Sequence, residues 1–259
     1  MKKLLSIVAL SLLTPLTAFA AVRGEEVEYK HGEVVLRGFL AYDDASKDLR
    51  PGILVVHEWW GHNEHARRKA RDLARDGYIA LAVDMYGEGK NTDHPGTAGE
   101  WSQMIAQSPN IGRGRFEAAY ELLSNHRLTA PRQMAAVGYC FGGTTILTLA
   151  QSGIDLDGVV SFHGGPPAYP PQKTFSTKVL ILHGSDDPMA TRGDLLKYEK
   201  ALTAVNADWQ SAYFGGAQHS FTNPDADQRG IPGLKYDRKA DQRSWQMMLS
   251  FLDELFAAP

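Results

Sequence analysis

Residues 21–259 predict one α/β domain with a mostly parallel central sheet and helices on both faces. Three observations carry that prediction. Short unbroken apolar runs such as Ile53-Leu54-Val55-Val56 and Val179-Leu180-Ile181-Leu182 read as strands buried on both sides. Helix-like segments separate them, which is the pattern of right-handed crossovers between parallel strands. Residues able to do chemistry fall at the carboxyl ends of those runs, where sheets of this type bind ligands.

The elements follow in order. Residues 25–30 and 33–42 read as an antiparallel lead-in about the His31-Gly32 turn, alternating at Val34, Leu36 and Gly38. Pro51-Gly52 introduces the strand at 53–56, which ends in His57-Glu58-Trp59-Trp60-Gly61-His62-Asn63. A basic helix over 64–76 closes at Gly77, and a buried strand over 78–83 ends at Asp84-Met85-Tyr86-Gly87. Residues 87–99 are rich in Gly, Asn, Asp, Thr and Pro and read as a surface loop. Helix at 116–126, strand at 134–137 and helix at 144–151 come next. Strands at 159–162 and 179–182 end at His163-Gly164-Gly165 and at His183-Gly184-Ser185-Asp186-Asp187-Pro188. A helix at 195–205, a strand at 209–214 and a glycine-rich loop to His219 and Ser220 lead to a closing helix at 238–256, apolar at Trp245, Met248, Leu249, Leu252 and Leu255. Glu58, Asp84, Cys140, His163, Asp187 and His219 all punctuate strand ends and are candidates for one crevice.

The first 20 residues have a basic start at Lys2-Lys3, an apolar stretch over 4–13 and an Ala18-Phe19-Ala20 end, the pattern of a secretory leader cleaved after Ala20. The stretch is too short, and too broken by Pro15, to span a membrane, so the mature chain is expected to be exported, most simply to a periplasm, with no stable membrane association. Without Lys2 and Lys3 the 27 basic residues become 25 against 30 acidic ones, a formal charge of −5. That balance gives no reason to expect nucleic acid or anionic membrane as a partner.

Cys140 is the one cysteine and sits between an apolar run and a helix, flanked by Gly138, Gly142 and Gly143. A strand that turns into a helix through glycines presents its central side chain at the tip, above helix-terminal amides. Most free cysteines are buried small hydrophobes, but such a residue does not need a turn that admits no side chains. As a nucleophile Cys140 needs a base and a group that orients the base. His219 is the natural base and Asp187 the natural acid, with Asp186 as competitor; the order Cys140, Asp187, His219 is that of α/β-hydrolase scaffolds. Taken singly, His219 could be a packed histidine and Asp187 a helix cap. A developing oxyanion needs donors fixed in advance, and the backbone N–H groups of Phe141 and Trp59 are the candidates. Trp60, Tyr86, His163 and Ser220 are candidates for a substrate pocket. The plainer reading has the aromatic residues packing loops and His163 serving as a structural histidine. A metal reading of His57-Glu58 with His62 and His65 fails on spacing, because zinc helices place their histidines four apart.

The set Val55-Val56-His57-Glu58-Trp59-Trp60-Gly61, Gly77-Tyr78-Ile79-Ala80-Leu81, Asp84-Met85-Tyr86, Gly138-Tyr139-Cys140-Phe141-Gly142-Gly143, His183-Gly184-Ser185-Asp186-Asp187 and His219-Ser220-Phe221 resembles the dienelactone hydrolase family. The resemblance implies an α/β-hydrolase fold and a Cys-His-Asp triad at Cys140, His219 and Asp187. It implies cleavage of a small-molecule lactone or ester through a thioester, without metal or organic cofactor. It also implies that Glu58 is the family's additional glutamate, which contacts the resting thiol and moves when substrate binds. Family members that act on acidic lactones hold the substrate carboxylate with arginines. The corresponding neighbourhoods here read Gly87-Glu88-Gly89-Lys90 and Phe221-Thr222-Asn223, which leaves Lys90, Arg113 or Arg192 as possible replacements.

Three functions compete: an ester or lactone hydrolase, a thiol-based redox sensor, and a non-catalytic ligand-binding protein on the same fold. The last two require neither Asp187 nor His219.

Overall fold

Eight strands form one sheet in the order β1-β2-β4-β3-β5-β6-β7-β8 in a computed structural model that describes residues 22–257. The leader expected at residues 1–20 lies outside the described residues. β1 (Val22–His31) and β2 (Val34–Asp43) pair antiparallel, and β2 pairs antiparallel with β4 (Ile79–Val83). From β4 onward, β3 (Arg50–Val56), β5 (Thr129–Tyr139), β6 (Gly158–Phe162), β7 (Lys178–Gly184) and β8 (Trp209–Phe214) are all parallel. Six helices connect or close them: α1 (Glu64–Arg75), α2 (Pro95–Gln107), α3 (Pro109–Ser124), α4 (Phe141–Gln151), α5 (Arg192–Ala204) and α6 (Arg238–Phe256).

Successive strand residues point to opposite faces, so each parallel strand feeds two cores. Ile53, Val55, Ala80, Ala82, Ala135 and Val137 share one core with Leu73 of α1 and Met248 and Leu252 of α6. Leu54, Val56, Leu81, Val83 and Ala136 share the other with Phe116 of α3, Ile146 of α4 and Leu195 of α5. Each such large side chain contributes about 1.5–3 kcal/mol when buried, which explains why runs without polar alternation are stable as strands. α1 shows the local logic: the Asn63 side chain accepts from the Ala66 N–H, and His65, Ala66, Lys69, Ala70 and Leu73 form the buried stripe.

The expected surface loop at 87–99 is shorter than predicted. α2 begins at Pro95, capped by the His94 ring, and buries only Ala98 and Ile105, so its apolar period is faint. α3 likewise starts at Pro109, earlier than 116, because Gly112 and Gly114 dilute its pattern.

The chain runs from β3 to β4 on one side and then crosses to β5 on the other. This reversal leaves a crevice at the carboxyl ends of β3 and β5. The loop after β3 carries Glu58 and Trp59, and the turn after β5 carries Cys140.

Candidate active site

Cys140 joins β5 to α4 with φ 54° and ψ −118°, a conformation an L residue avoids. Strain of this kind costs of order 1–3 kcal/mol and persists only where the surroundings impose it. They do so by close approach. A Cβ on Gly138 would lie 2.3 Å from the Gly142 carbonyl oxygen, and one on Gly142 would lie 2.3 Å from the Val56 carbonyl oxygen. The Cys140 N–H donates both to the Phe162 carbonyl, at 3.0 Å, and to His163 Nδ1, at 3.1 Å. The first amides of α4 therefore stand directly after the sulfur-bearing residue, without intrahelical acceptors of their own.

His219 Nδ1 donates to Asp187 Oδ2 at 2.8 Å. Asp187 Oδ1 accepts the N–H groups of Met189, at 2.8 Å, and Ala190, at 3.1 Å. Burial pushes the Asp187 pKa up, but the hydrogen bond and charge of His219, with His183 and the Met189 amide, hold it below its ordinary value. The competing Asp186 instead accepts from the neighbouring Ser185 hydroxyl at the surface. His219 Nε2 is buried and has no hydrogen-bond partner assigned among the described residues, while its ring and Cys140 line the same hollow. Burial disfavours the imidazolium, yet the neighbouring Cys140 sulfur and the Asp187 hydrogen bond raise the His219 pKa well above its ordinary value. The arrangement can hold a proton on the ring next to the sulfur and pass it on.

Glu58 is fully buried, and both of its oxygens are occupied. Oε1 accepts from the Ser220 hydroxyl at 2.7 Å and Oε2 from the Asn223 amide at 2.6 Å. Burial raises its pKa, opposed by those two donors and by the charges of His219 and Arg229. The side-chain hydrogen bonds of Glu58 thus go to Ser220 and Asn223, and none goes to the Cys140 thiol that the resemblance sets beside it. Two neutral donors on the loop after His219 satisfy the carboxylate instead. The loop after β3 is pinned by His57, whose Nδ1 donates to the Glu58 carbonyl at 2.6 Å.

The hollow above the sulfur has a volume of about 380 Å³. Trp59, Phe141, Thr144, Gly165, Met189 and Ala190 line it with Cys140 and His219, and α2 adds Ser102, Gln103 and Ala106. Four sequence candidates stand outside this lining. Trp60 is 1 % exposed and packs against Ala98, Leu234 and the Arg229 guanidinium, so it fills the space beneath the loops. Tyr86 lies behind Phe141 and donates its hydroxyl to the Trp59 carbonyl at 3.0 Å. Ser220 is turned to Glu58. His163 lies under the elbow, bonded through Nε2 to Thr222 Oγ1 at 2.9 Å; burial, with His219 and the other basic groups around it, keeps its pKa well below the ordinary value. Neutral His163 thus ties the nucleophile's backbone to the loop of the base. Asp84 also leaves the crevice, because its carboxylate accepts the backbone N–H groups of Arg37, Tyr86, Gly87 and Gly89.

Among the described residues, no lysine or arginine lines the hollow. Lys90 pairs with Glu88 at 2.9 Å, Arg113 pairs with Glu117 at 2.8 Å, and Arg192 lies over the Tyr213 ring. Asn223 is committed to Glu58. Thr222, His57 and the α2 residues were not singled out from the sequence for this site. For α2 a signal existed in His94-Pro95, a cap followed by a first-turn proline.

Comparison with known proteins places this geometry in a family. The model of the Dienelactone hydrolase family matches residues 36–256. The crystal structure of a dienelactone hydrolase-like promiscuous phosphotriesterase from metagenomic libraries is 36 % identical, superposes with a TM-score of 0.87, and covers 92 % of this chain and 100 % of its own. Protein usf of Aquifex pyrophilus is 26 % identical over 237 residues, 89 % of this chain and 98 % of the relative. A protein of Aquifex aeolicus provisionally named carboxymethylenebutenolidase is 25 % identical over 234 residues, 88 % of this chain and 97 % of the relative. The family match starts within β2 and runs to the end of α6, taking in every loop that builds the hollow, and the chain belongs to the dienelactone hydrolase family.

Proposed function

We propose that this hydrolase cleaves an uncharged carboxylic ester or lactone with Cys140 as nucleophile, His219 as base and Asp187 as its orienting acid. The observation that carries the reading is the His219 ring, fixed to Asp187 at 2.8 Å on one side and facing the Cys140 hollow on the other. The His219 imidazole takes the thiol proton, and the sulfur bonds to the carbonyl carbon. The Phe141 and Trp59 N–H groups receive the oxyanion, the reading that their place in the lining supports. As the carbon–oxygen bond breaks, the imidazolium gives its proton to the departing alkoxide. Water then loses a proton to His219 and adds to the thioester carbonyl; the carbon–sulfur bond breaks, His219 returns the proton to the sulfur, and the product acid leaves and ionises in solvent. A lining that holds no lysine or arginine among the described residues favours an uncharged substrate, since nothing there grips a carboxylate bidentately.

A small aryl ester tests the mechanism. Acid quench during turnover should leave the acyl mass on the peptide that contains Cys140, and Cys140→Ala should abolish both adduct and turnover. Turnover that survives in Cys140→Ala would refute the role of the sulfur. Reversible oxidation of Cys140 with no turnover on any ester or lactone would favour the redox sensor instead.

A neutral phosphotriester is a second reading, motivated by the name of the relative at 36 % identity and by the same uncharged lining. Release of an aryl alcohol from an aryl dialkyl phosphate, lost in Cys140→Ala, would support it. We propose export, most simply to a periplasm, on the leader pattern of residues 1–20; exported protein whose first residue is Ala21 is the expected result.

A further inference from the structure

The hollow that holds Cys140 continues past Met189. A second one, of about 360 Å³, adjoins it, and Gly165, Met189 and Ala190 belong to the walls of both. Its outer wall is the loop after β6, Pro166-Pro167-Ala168-Tyr169-Pro170, and α5 supplies the inner wall through Tyr198 and Ala201. Three prolines fix φ along that loop and remove backbone donors, so the wall is stiff and largely apolar.

Two large apolar side chains stand open to solvent here, Tyr169 at 79 % and Met189 at 48 % exposure. Met189 is not loosely placed, because its N–H donates to Asp187 at 2.8 Å. Its thioether is thus a flexible apolar arm on a fixed base, standing on the saddle between the hollows. The charged pair at the rim, Lys197 and Asp194, is satisfied internally at 3.0 Å. Among the described residues, neither hollow therefore offers an unpaired lysine or arginine for a carboxylate or phosphate. Continuity identifies the occupant, since a molecule held at the sulfur is the one whose far end can lie in both.

We propose that the second hollow is the remote-group subsite, and that the preferred substrate is an ester whose uncharged aromatic or branched apolar group crosses Met189 to reach Tyr169 and the prolines. This rests on the hydrolase reading above. A small lactone ring would occupy the first hollow alone and leave the second one to water. Apolar contact with Met189, Tyr169 and the prolines would make binding grow with the size of the remote group.

The test uses two series of neutral aryl-containing esters, one lengthened only on the acyl side and one only on the alcohol side. One series should show kcat/KM rising with length, and Ala201→Trp, which fills the second hollow, should lower the long-over-short ratio by roughly tenfold, the scale of losing the burial of two methylenes. Met189→Asp should lower the same ratio. Ratios that are equal in the wild type and in both variants, for both series, would overturn the subsite while the hydrolase reading stands. Binding of the intact long ester to Cys140→Ala protein, followed by calorimetry, reads the subsite without turnover. Weaker binding when Ala201→Trp is added supports it even if no ester is hydrolysed, and equal binding overturns it. Folded state of each variant is checked by its melting transition.

Discussion

Two hollows on this molecule make an instructive contrast. The larger, about 800 Å³, lies between the β1–β2 ribbon and α3 and is lined by Val27, Tyr29, Leu40, Leu122 and His126 among others. The smaller, about 380 Å³, holds Cys140 and His219. The larger is a gap where a ribbon and a helix fail to close. The smaller is where the structure concentrates strain and buried polarity. Of the five non-glycine residues with positive φ among the described residues, Cys140, His163 and Ser220 gather there. Glu58, Asp187, His163 and His219 are buried around it, and every one of them has a hydrogen-bonded partner. Size measures missing atoms, whereas convergence of costly groups marks a place the fold is arranged to maintain.

The contrast breaks most sharply in activity. Cys140→Ala and His219→Ala should each lower aryl-ester kcat/KM by about 10³-fold or more, while His126→Ala in the larger hollow should change it by less than about twofold. Comparable losses in all three would erase the distinction. Asp187→Asn should cost about 10²-fold or more in kcat, against less than about twofold for Asp186→Asn, because only Asp187 holds the His219 tautomer. Initial rates on the same ester decide it.

A smaller effect separates the two regions in stability. Gly142→Ala forces a methyl against the Val56 carbonyl and should destabilise the protein by about 1–3 kcal/mol in urea denaturation. Ala118→Val beside the larger hollow should stay within about 0.5 kcal/mol. His163→Ala and Thr222→Val should each lower kcat by roughly tenfold with KM little changed, and the double variant should be no worse than the worse single one, since both cut one link. Partial recovery in His163→Asn, which retains an acceptor and a donor, distinguishes positioning from general damage.

The smallest expected effect is a pH dependence. Glu58 has a raised folded-state pKa, so between its unfolded and folded values the native protein binds more protons and stability falls as pH rises. Glu58→Gln removes that slope. The melting temperature of the wild type should therefore fall relative to the variant on going upward from the ordinary glutamate range, and a parallel pair of curves would count against the buried charge.

The same contrast explains what could be read in advance. That Cys140, Asp187 and His219 meet at one crevice was legible because order along the chain and position at strand ends are properties of topology, and topology follows from apolar runs. Direction was not legible. Glu58 and Asp84 both end strands, yet one turns to Ser220 and Asn223 and the other to four backbone amides, choices made by loops from distant parts of the chain. Trp60 shows the same limit, since an aromatic loop residue reads alike whether it faces a ligand or fills a core. The α2 wall of the hollow was missed because a helix that buries two residues leaves almost no periodic trace.

The main-chain grip on Asp187 has one more consequence. Its Oδ1 is held by the amides of residues 189 and 190, and an amide is supplied by any residue except proline. Side chains at those two positions can thus be exchanged to reshape what the enzyme accepts while the proton-handling apparatus stays in place. On the proposed mechanism, selectivity and chemistry would be separately adjustable on a single short loop, which makes residues 189 and 190 the natural first library for directed evolution of this scaffold.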